Sequence, residues 1–169
     1  MNCSKCGAFM DTGVVCPNCG IGFSEPSYKS MGGKGGKVNR GTGIRPIHSS
    51  QVLQIWPDVI EYLRKVPRPG YRLEDVLAQL LRQEAQLWVA GDPAMAAVVT
   101  ELQQLPTQKV CAMWLCGGEN MLEWWEPMES TIKSWAEDNG CSAVEIIGRP
   151  GWERLLGYRR VQTVVRLEL

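Results

Sequence analysis

The sequence lacks long apolar runs, a net charge and all but one histidine. No stretch approaches the roughly 20 consecutive apolar residues that a membrane-spanning helix requires. The opening, MNCSKCGAFMD, lacks the charged and apolar regions of a signal peptide. We therefore expect no membrane association and a location in the cytoplasm of a bacterial cell, either the cell that produces the protein or one that is infected.

The charges of the chain balance, but they are unevenly distributed. Lys and Arg number 18, as do Asp and Glu, and residues 1–43 hold five of the basic and two of the acidic side chains. This excess is too small to predict nucleic acid binding. Hydrophobic residues make up 44% of the 169-residue chain, which predicts a folded domain plus a small appendage. The single histidine, His48, precedes two serines and is expected at a helix start.

Four of the seven cysteines form two Cys-x-x-Cys pairs near the start of the chain. This spacing lets both thiolates of a pair bind one ion about 2.3 Å away, and two pairs complete a tetrahedron. Two disulfides or a redox site are the alternatives, which a reducing compartment and the presence of two pairs disfavour. We predict a closed structural zinc site, similar to a zinc ribbon of the rubredoxin-knuckle type over residues 1–23. Its ligands are Cys3, Cys6, Cys16 and Cys19.

The predicted ribbon is followed by a glycine-rich segment over residues 24–43. Its MGGKGGKVNRGTG stretch has no apolar period and predicts a flexible tether with a span of about 25 Å. A phosphate-binding loop is disfavoured because the GxxxxGK[ST] spacing is missing. Within the metal loop only Lys5 is basic, whereas several apolar side chains favour protein docking. These are Phe9, Met10, Val14, Val15, Ile21 and Phe23.

From Ile44 onward, helical and strand periods alternate in the order β-α-α-β-β-β-α-β-α-β. Short turns predict antiparallel hairpins, and the long helix predicts a crossover between two parallel strands. The predicted strands cover 44–47, 87–90, 95–105, 109–115, 143–147 and 159–169. The predicted helices begin at Ser49 or Ser50 and run to residue 65, and then cover 72–85, 120–139 and 151–156.

The long helix carries two adjacent tryptophans, Trp124 and Trp125. Neighbouring helix residues point about 100° apart, so Trp125 in the core predicts that Trp124 turns outward. We therefore expect Trp124 to contact a partner protein. The predicted buried stripe of this helix comprises Leu122, Trp125, Met128, Ile132, Trp135 and Ala136.

Several segments together resemble GNAT acetyltransferase-like proteins encoded by tailed phages and prophages. They are QLWVA at 86–90, CGG at 116–118, WAEDNGC at 135–141, EIIGRPGW at 145–152 and LLGY at 155–158. The resemblance covers residues 44–169. It implies an α+β fold with a GNAT-like mixed central sheet flanked by helices, here preceded by the zinc ribbon and the linker.

The resemblance also implies an acetyl-CoA site at the loop before the long helix. GNAT enzymes present backbone amides there to the pyrophosphate, at a helix N-terminus that favours anions. The corresponding residues here are Gly117, Gly118, Glu119 and Asn120. The loop lacks the initial Gln or Arg of the family pattern, and Glu119 puts a negative charge near the pyrophosphate position.

The catalytic groups that the resemblance implies are only partly present. GNAT enzymes often have a tyrosine acid in the last short helix, where this chain has none, while Tyr158 stands at a packing position. Glu101 and Glu145 lie on strand patterns and are candidates for the base. Cys116 borders the cofactor loop and is a candidate nucleophile. The catalytic residues are therefore not assigned from the sequence.

Two functions follow from these observations. In the first, the chain is a non-catalytic or degenerate GNAT-like phage protein that acts as a virion component or assembly factor by binding other proteins, with the ribbon as a docking module. In the second, it is a divergent acetyl-CoA-dependent N-acetyltransferase whose substrate is recruited by the ribbon, with Arg149 near a phosphate. The missing family residues favour the first at this stage. A nucleic-acid adaptor is a third, less favoured function.

Overall fold

A computed structural model describes residues 43–66, 68–149 and 151–167. The predicted zinc ligands and nearly all of the predicted tether lie outside these residues. None of the helices in the described part of the chain is long and apolar enough to cross a membrane. The elements in chain order are β1 (Ile44–Ile47), α1 (Ser49–Arg64), α2 (Leu73–Leu81), β2 (Gln86–Ala90), β3 (Ala96–Gln104), β4 (Lys109–Gly118), α3 (Met121–Asp138), β5 (Ala143–Ile146) and α4 (Gly151–Leu156).

The strands form one five-stranded mixed sheet in the order β1-β2-β3-β4-β5. The first four strands pair antiparallel, and β4 pairs parallel with β5. The predicted hairpins and the predicted crossover through the long helix are therefore confirmed. Gly140 ends the crossover helix region with φ +75°, a conformation that glycine adopts without strain.

Alternating side chains of the sheet supply two cores, one on each face. The first core contains Leu87, Val89 and Val99 and packs against α1 and α2. The second contains Trp88 and Val98 and packs against α3. We call these the α1/α2 face and the α3 face. Because both faces are covered, the central strands read as nearly continuous apolar runs.

Helix α1 begins one residue after His48, as the sequence predicts. The His48 ring Nδ1 accepts a hydrogen bond from the Ser50 amide at 3.3 Å, so the imidazole itself caps the helix. The side chains of Val52, Val59 and Leu63 are buried at helical spacing against the sheet. His48 therefore has a structural role at the helix start.

The predicted exposure of Trp124 is wrong. This side chain is 2% exposed, and its Nε1 donates a hydrogen bond to the Glu119 carbonyl oxygen at 2.6 Å. Leu122, which the predicted stripe placed inward, is 92% exposed. Two positions along a helix turn the side chain by about 200°, so burying Trp124 forces Leu122 outward. Trp124 is consequently unavailable as a partner-binding residue in this structure.

The predicted closing strand over 159–169 is not formed by its described residues. Residues 157–167 follow α4 without a strand, and their aliphatic side chains Val161, Val164, Val165 and Leu167 are exposed. The alternation of apolar residues is present, but apolar spacing alone does not supply a ladder partner. Residues of this segment and of β5 line a cleft of about 790 Å³, and no described residue of the segment pairs with β5.

We predict that valines of this segment contribute little to stability. Val165 is 89% exposed, and Val98 in β3 is fully buried. Val165→Ala should therefore change the free energy of unfolding by less than about 0.5 kcal/mol, whereas Val98→Ala should lower it by roughly 2 kcal/mol. Chemical denaturation of both variants measures this. Equal losses would show that the C-terminal segment is packed in solution.

Candidate functional site

Strand β4 carries a β-bulge that changes which side chains face α1 and α2. Val99 pairs with Leu115 and Thr100 with Met113, so Trp114 has no partner of its own on β3. Trp114 and Leu115, although adjacent, both belong to the core of the α1/α2 face. Met113 belongs to the opposite core. The bulge thus directs two successive large side chains to the same face.

The parallel ladder between β4 and β5 stops at the bulge. Pairing runs from Val110 to Met113, and the Ile147 amide donates the last hydrogen bond to the Met113 oxygen at 2.9 Å. Strand β4 continues to Gly118, but no described residue pairs with this end on the β5 side. The two strands part here, so the hydrogen-bond ladder on this side of β4 is not continued. We call this opening the β4–β5 gap.

The two glycines at the end of β4 are required by packing. A Cβ atom on Gly117 would lie 2.2 Å from the Tyr62 oxygen in α1. A Cβ atom on Gly118 would lie 2.4 Å from the Ala96 Cβ in β3. Both distances are shorter than real Cβ contacts allow. The glycines therefore let the end of β4 approach its neighbours closely, which places the start of α3 beside the gap.

The turn from β4 to α3 uses one of its backbone amides internally. The Glu119 amide donates to the Met95 oxygen at 2.9 Å and is already engaged. Its carboxylate lies 4.0 Å from the Lys65 ammonium, which offsets part of its charge. Asn120 adopts the left-handed conformation with φ +50°, and the helix begins at Met121.

The first amides of α3 are open. No described residue accepts a hydrogen bond from the backbone amides of Asn120, Met121 and Leu122, and Asn120 makes no side-chain cap. Helix N-terminal amides carry the positive end of the helix dipole and bind anions. Of the four residues that the family resemblance implies, Asn120 alone has an uncommitted amide at the helix start. Met121 and Leu122 are two further donors that the resemblance does not include.

Two tryptophan side chains, Trp152 and Trp125, lie next to the residues that follow β5. The ring of Trp152 lies against Gly148, where a Cβ atom would come within 2.9 Å of it. Trp125 packs on Trp152 with ring centroids 5.3 Å apart. The Trp125 Nε1 is buried and has no described acceptor. Since a buried indole N–H normally finds a partner, this donor is a candidate contact for a ligand carbonyl.

Two of the predicted candidate groups come together on the sheet. Glu101, Ala112 and Glu145 occupy one row across β3, β4 and β5, on the α1/α2 face. Glu101 is hydrogen-bonded by the Gln103 side chain. Glu145 has no described side-chain partner and lies two residues before the point where the strands part. Both remain candidates for a base, and Glu145 is the better placed.

The remaining candidates are poorly suited to chemistry. The Tyr158 hydroxyl donates to Glu129 of α3, and burial together with this carboxylate raises the pKa of the tyrosine. Burial raises the pKa of the Cys116 thiol to about 12, so it is protonated at neutral pH and weakly nucleophilic. Arg149 lines the 790 Å³ cleft beside β5. Within the described residues, no group of His, Cys, Asp and Glu could hold a metal ion.

We predict that the glycine at the gap is indispensable for folding. Gly117→Ala should lower the free energy of unfolding by at least about 2 kcal/mol because its Cβ meets the α1 backbone. Gly151→Ala is the matched control: no atom lies within 4 Å of its added Cβ, so stability should change by less than about 0.5 kcal/mol. Thermal or chemical unfolding measures both. Equal stability of the two variants would contradict the close packing.

Comparison with known proteins supports the fold. No family model and no curated protein sequence matches the chain. Similar solved structures include the ribosomal-protein-alanine N-acetyltransferase of Brucella melitensis biovar Abortus 2308, with 14% identity over 74% of this chain and 99% of that one, and a TM-score of 0.55.

Two further similar structures contain a coenzyme. A predicted acetyltransferase with acetyl-CoA from Clostridium acetobutylicum is 13% identical over 75% of this chain and 95% of that one, with a TM-score of 0.55. An aminoglycoside N-acetyltransferase in complex with CoA is 15% identical over 75% and 93%, with a TM-score of 0.54. At such identities the likeness concerns the fold alone. The chain therefore has a GNAT-like α+β fold, as its sequence predicts.

Proposed function

We propose that the C-terminal domain is an acetyl-CoA-dependent N-acetyltransferase. The observation that carries this proposal is the β4–β5 gap, which opens beside the uncommitted N-terminal amides of α3. Such a site offers an extended polar edge for an amide-containing chain and a positive dipole for its phosphates. Similar structures that contain CoA or acetyl-CoA support the same substrate.

The diphosphate of acetyl-CoA would bind at the start of α3. The amides of Asn120, Met121 and Leu122 are its donors, since that of Glu119 is engaged with Met95. The Glu119 carboxylate disfavours an anion there, but the nearby Lys65 ammonium offsets part of this repulsion. We therefore expect binding that is weaker than at a loop with a basic first residue.

The acetyl end would lie in the gap. The unpaired edge of β4 would supply hydrogen-bond donors and acceptors for the amide-containing arm and the thioester carbonyl. Acetyl-CoA supplies the acetyl group: the amine forms a bond to the acetyl carbon while the bond from that carbon to sulfur breaks. In this proposal Glu145, directly or through a water, takes the proton from the attacking amine. With Tyr158 held by Glu129, solvent protonates the leaving thiolate.

A role in protein binding alone has less support than catalysis. It rested on family residues missing from the cofactor loop and from the last short helix, and on the tethered ribbon. The uncommitted amides of α3 offset the first of these in part. Trp124, the expected partner contact, is buried. The described residues offer no observation that favours a virion component. That function stays a prediction from the sequence.

Acetyl-CoA binding to the full chain tests this function. We expect saturable binding at micromolar concentrations by calorimetry. Leu122→Glu should weaken it at least about tenfold, since it adds a negative charge at the diphosphate site without removing buried contacts. Leu53→Glu, on the exposed surface of α1, is the matched control and should bind as the unmodified protein does.

Two results would overturn the proposal. One is an absence of heat with millimolar acetyl-CoA in a folded, zinc-loaded sample. The other is equal binding by the Leu122→Glu and Leu53→Glu variants, which would place the coenzyme elsewhere. In that case the GNAT-like fold would be an architecture without acyl transfer.

We further propose that Cys3, Cys6, Cys16 and Cys19 hold one structural zinc ion. The support is their paired spacing in the sequence. Cys111 and Cys116 are poor alternatives as ligands, because burial raises the pKa of both of these thiols to about 12 and disfavours the thiolate that a metal needs. The ribbon would then recruit the acceptor or a partner protein.

Elemental analysis of the purified chain should give about one zinc per molecule. Cys16→Ser should lower this content and speed zinc release to a colorimetric chelator, because a three-thiolate site binds more weakly. Cys141→Ser, a change to a partly buried cysteine of the C-terminal domain, should leave one zinc in place. A zinc content that Cys16→Ser does not change would contradict the proposed ligand set.

A further inference from the structure

A second pocket lies between the α1–α2 connection and the end of β4. Its volume is about 220 Å³, and three arginines line it together with apolar and aromatic side chains. The arginines are Arg64, Arg68 and Arg72. None of its lining residues is acidic. We call it the Arg68 pocket.

Arg68 lies against two aromatic rings that also contact each other. Its guanidinium carbon lies 4.4 Å from the Trp114 ring centroid and 4.6 Å from that of Tyr71. The two rings are themselves 5.2 Å apart. The β4 bulge brings Trp114 to this face, and cation–π contacts hold the guanidinium there. Two ring contacts restrict the guanidinium, whose N–H donors lie in its own plane.

The charge of Arg68 is not matched by the described residues. Arg64 pairs with Glu61 at 2.8 Å, and Arg72 pairs with Asp75 at 3.3 Å. Arg68 has no described ion pair or hydrogen bond, and its Nη1 is buried without an acceptor. A buried donor on a permanently charged group costs stability unless an acceptor satisfies it. The other arginines of the pocket therefore differ from Arg68 in being neutralised already.

We propose that the Arg68 pocket binds a carboxylate, with Arg68 as the recognition residue. A carboxylate matches a guanidinium because both are planar and can form two parallel hydrogen bonds. A phosphate would call for several free donors, whereas two of the three lining arginines already pair with carboxylates and the other lining residues are apolar or aromatic. Arg64 and Arg72 each pair with a carboxylate and are not the main contact.

The pocket lies next to the β4–β5 gap. Val66 lines it, and the Val66 Cγ2 would be 3.2 Å from a Cβ on Gly117. Leu115 also lines it, on the same face of the sheet as Glu145. The identity of the acceptor rests on the proposed function. If the chain is an acetyltransferase, its acceptor is a small amine that also carries a carboxylate. Arg68 would hold that carboxylate on the α1/α2 face of the gap.

Succinate binding to the full chain, measured by calorimetry, tests the pocket. We expect saturable binding that falls at least about tenfold in Arg68→Gln and partly in Arg68→Lys, which keeps the charge but loses the planar fork. Arg82→Gln is the matched control, because Arg82 is an exposed arginine that pairs with Glu84 and does not line the pocket. Its affinity should be unchanged, and thermal unfolding shows whether each variant is folded.

The remaining arms separate this proposal from the proposed function. No succinate binding, or equal binding by Arg68→Gln, would overturn the carboxylate site. Inorganic phosphate that binds at least as tightly as succinate, and also depends on Arg68, would overturn the choice of carboxylate. Succinate binding without acetyl-CoA binding would leave the pocket standing and remove the transferase. Acetyl-CoA binding without succinate binding would do the reverse.

Discussion

The extra residue in β4 is the constraint on which the candidate sites depend. A regular strand would pair with β5 to its end and send Trp114 and Leu115 to opposite faces. With the bulge, the parallel ladder ends at Met113 and both side chains turn toward α1 and α2. One local irregularity therefore opens the gap and also supplies the ring on which Arg68 rests.

The bulge can position the candidate sites only because the chain around it is packed closely. Gly117 and Gly118 allow α1 and β3 to approach the end of β4 to distances that a Cβ atom would forbid. The Glu119 amide and carbonyl are then tied to Met95 and Trp124, which sets where α3 begins. A site made by backbone groups gains its rigidity from such contacts, and rigidity lowers the entropic cost of binding.

Much of the fold follows from periodicity, and its failures have physical causes. Continuous apolar runs located β2, β3 and β4, but a run that is apolar throughout does not reveal a bulge, because no polar residue marks the change of face. Adjacent tryptophans leave the phase of α3 undetermined, and only packing shows that Leu122 is the exposed one. Arg68 was missed because the segment from residue 67 to Gly70 indicates only a helix end. The signal available in the sequence for this residue was an arginine between two prolines, with the aromatic residue Tyr71 shortly after it.

The departures from the GNAT pattern count less against coenzyme binding once the structure is considered than they do in the sequence alone. A carboxylate at a helix start repels an anion, but Glu119 is exposed, lies 4.0 Å from Lys65 and is screened by solvent. The family glycines matter here for packing, and donors one and two residues further along α3 are open instead. What a diphosphate needs is a set of converging N–H groups rather than a particular sequence of residues. Under the proposed function, the loop meets this requirement with donors shifted along α3, and Arg68 adds a positive charge for the acceptor on the α1/α2 face.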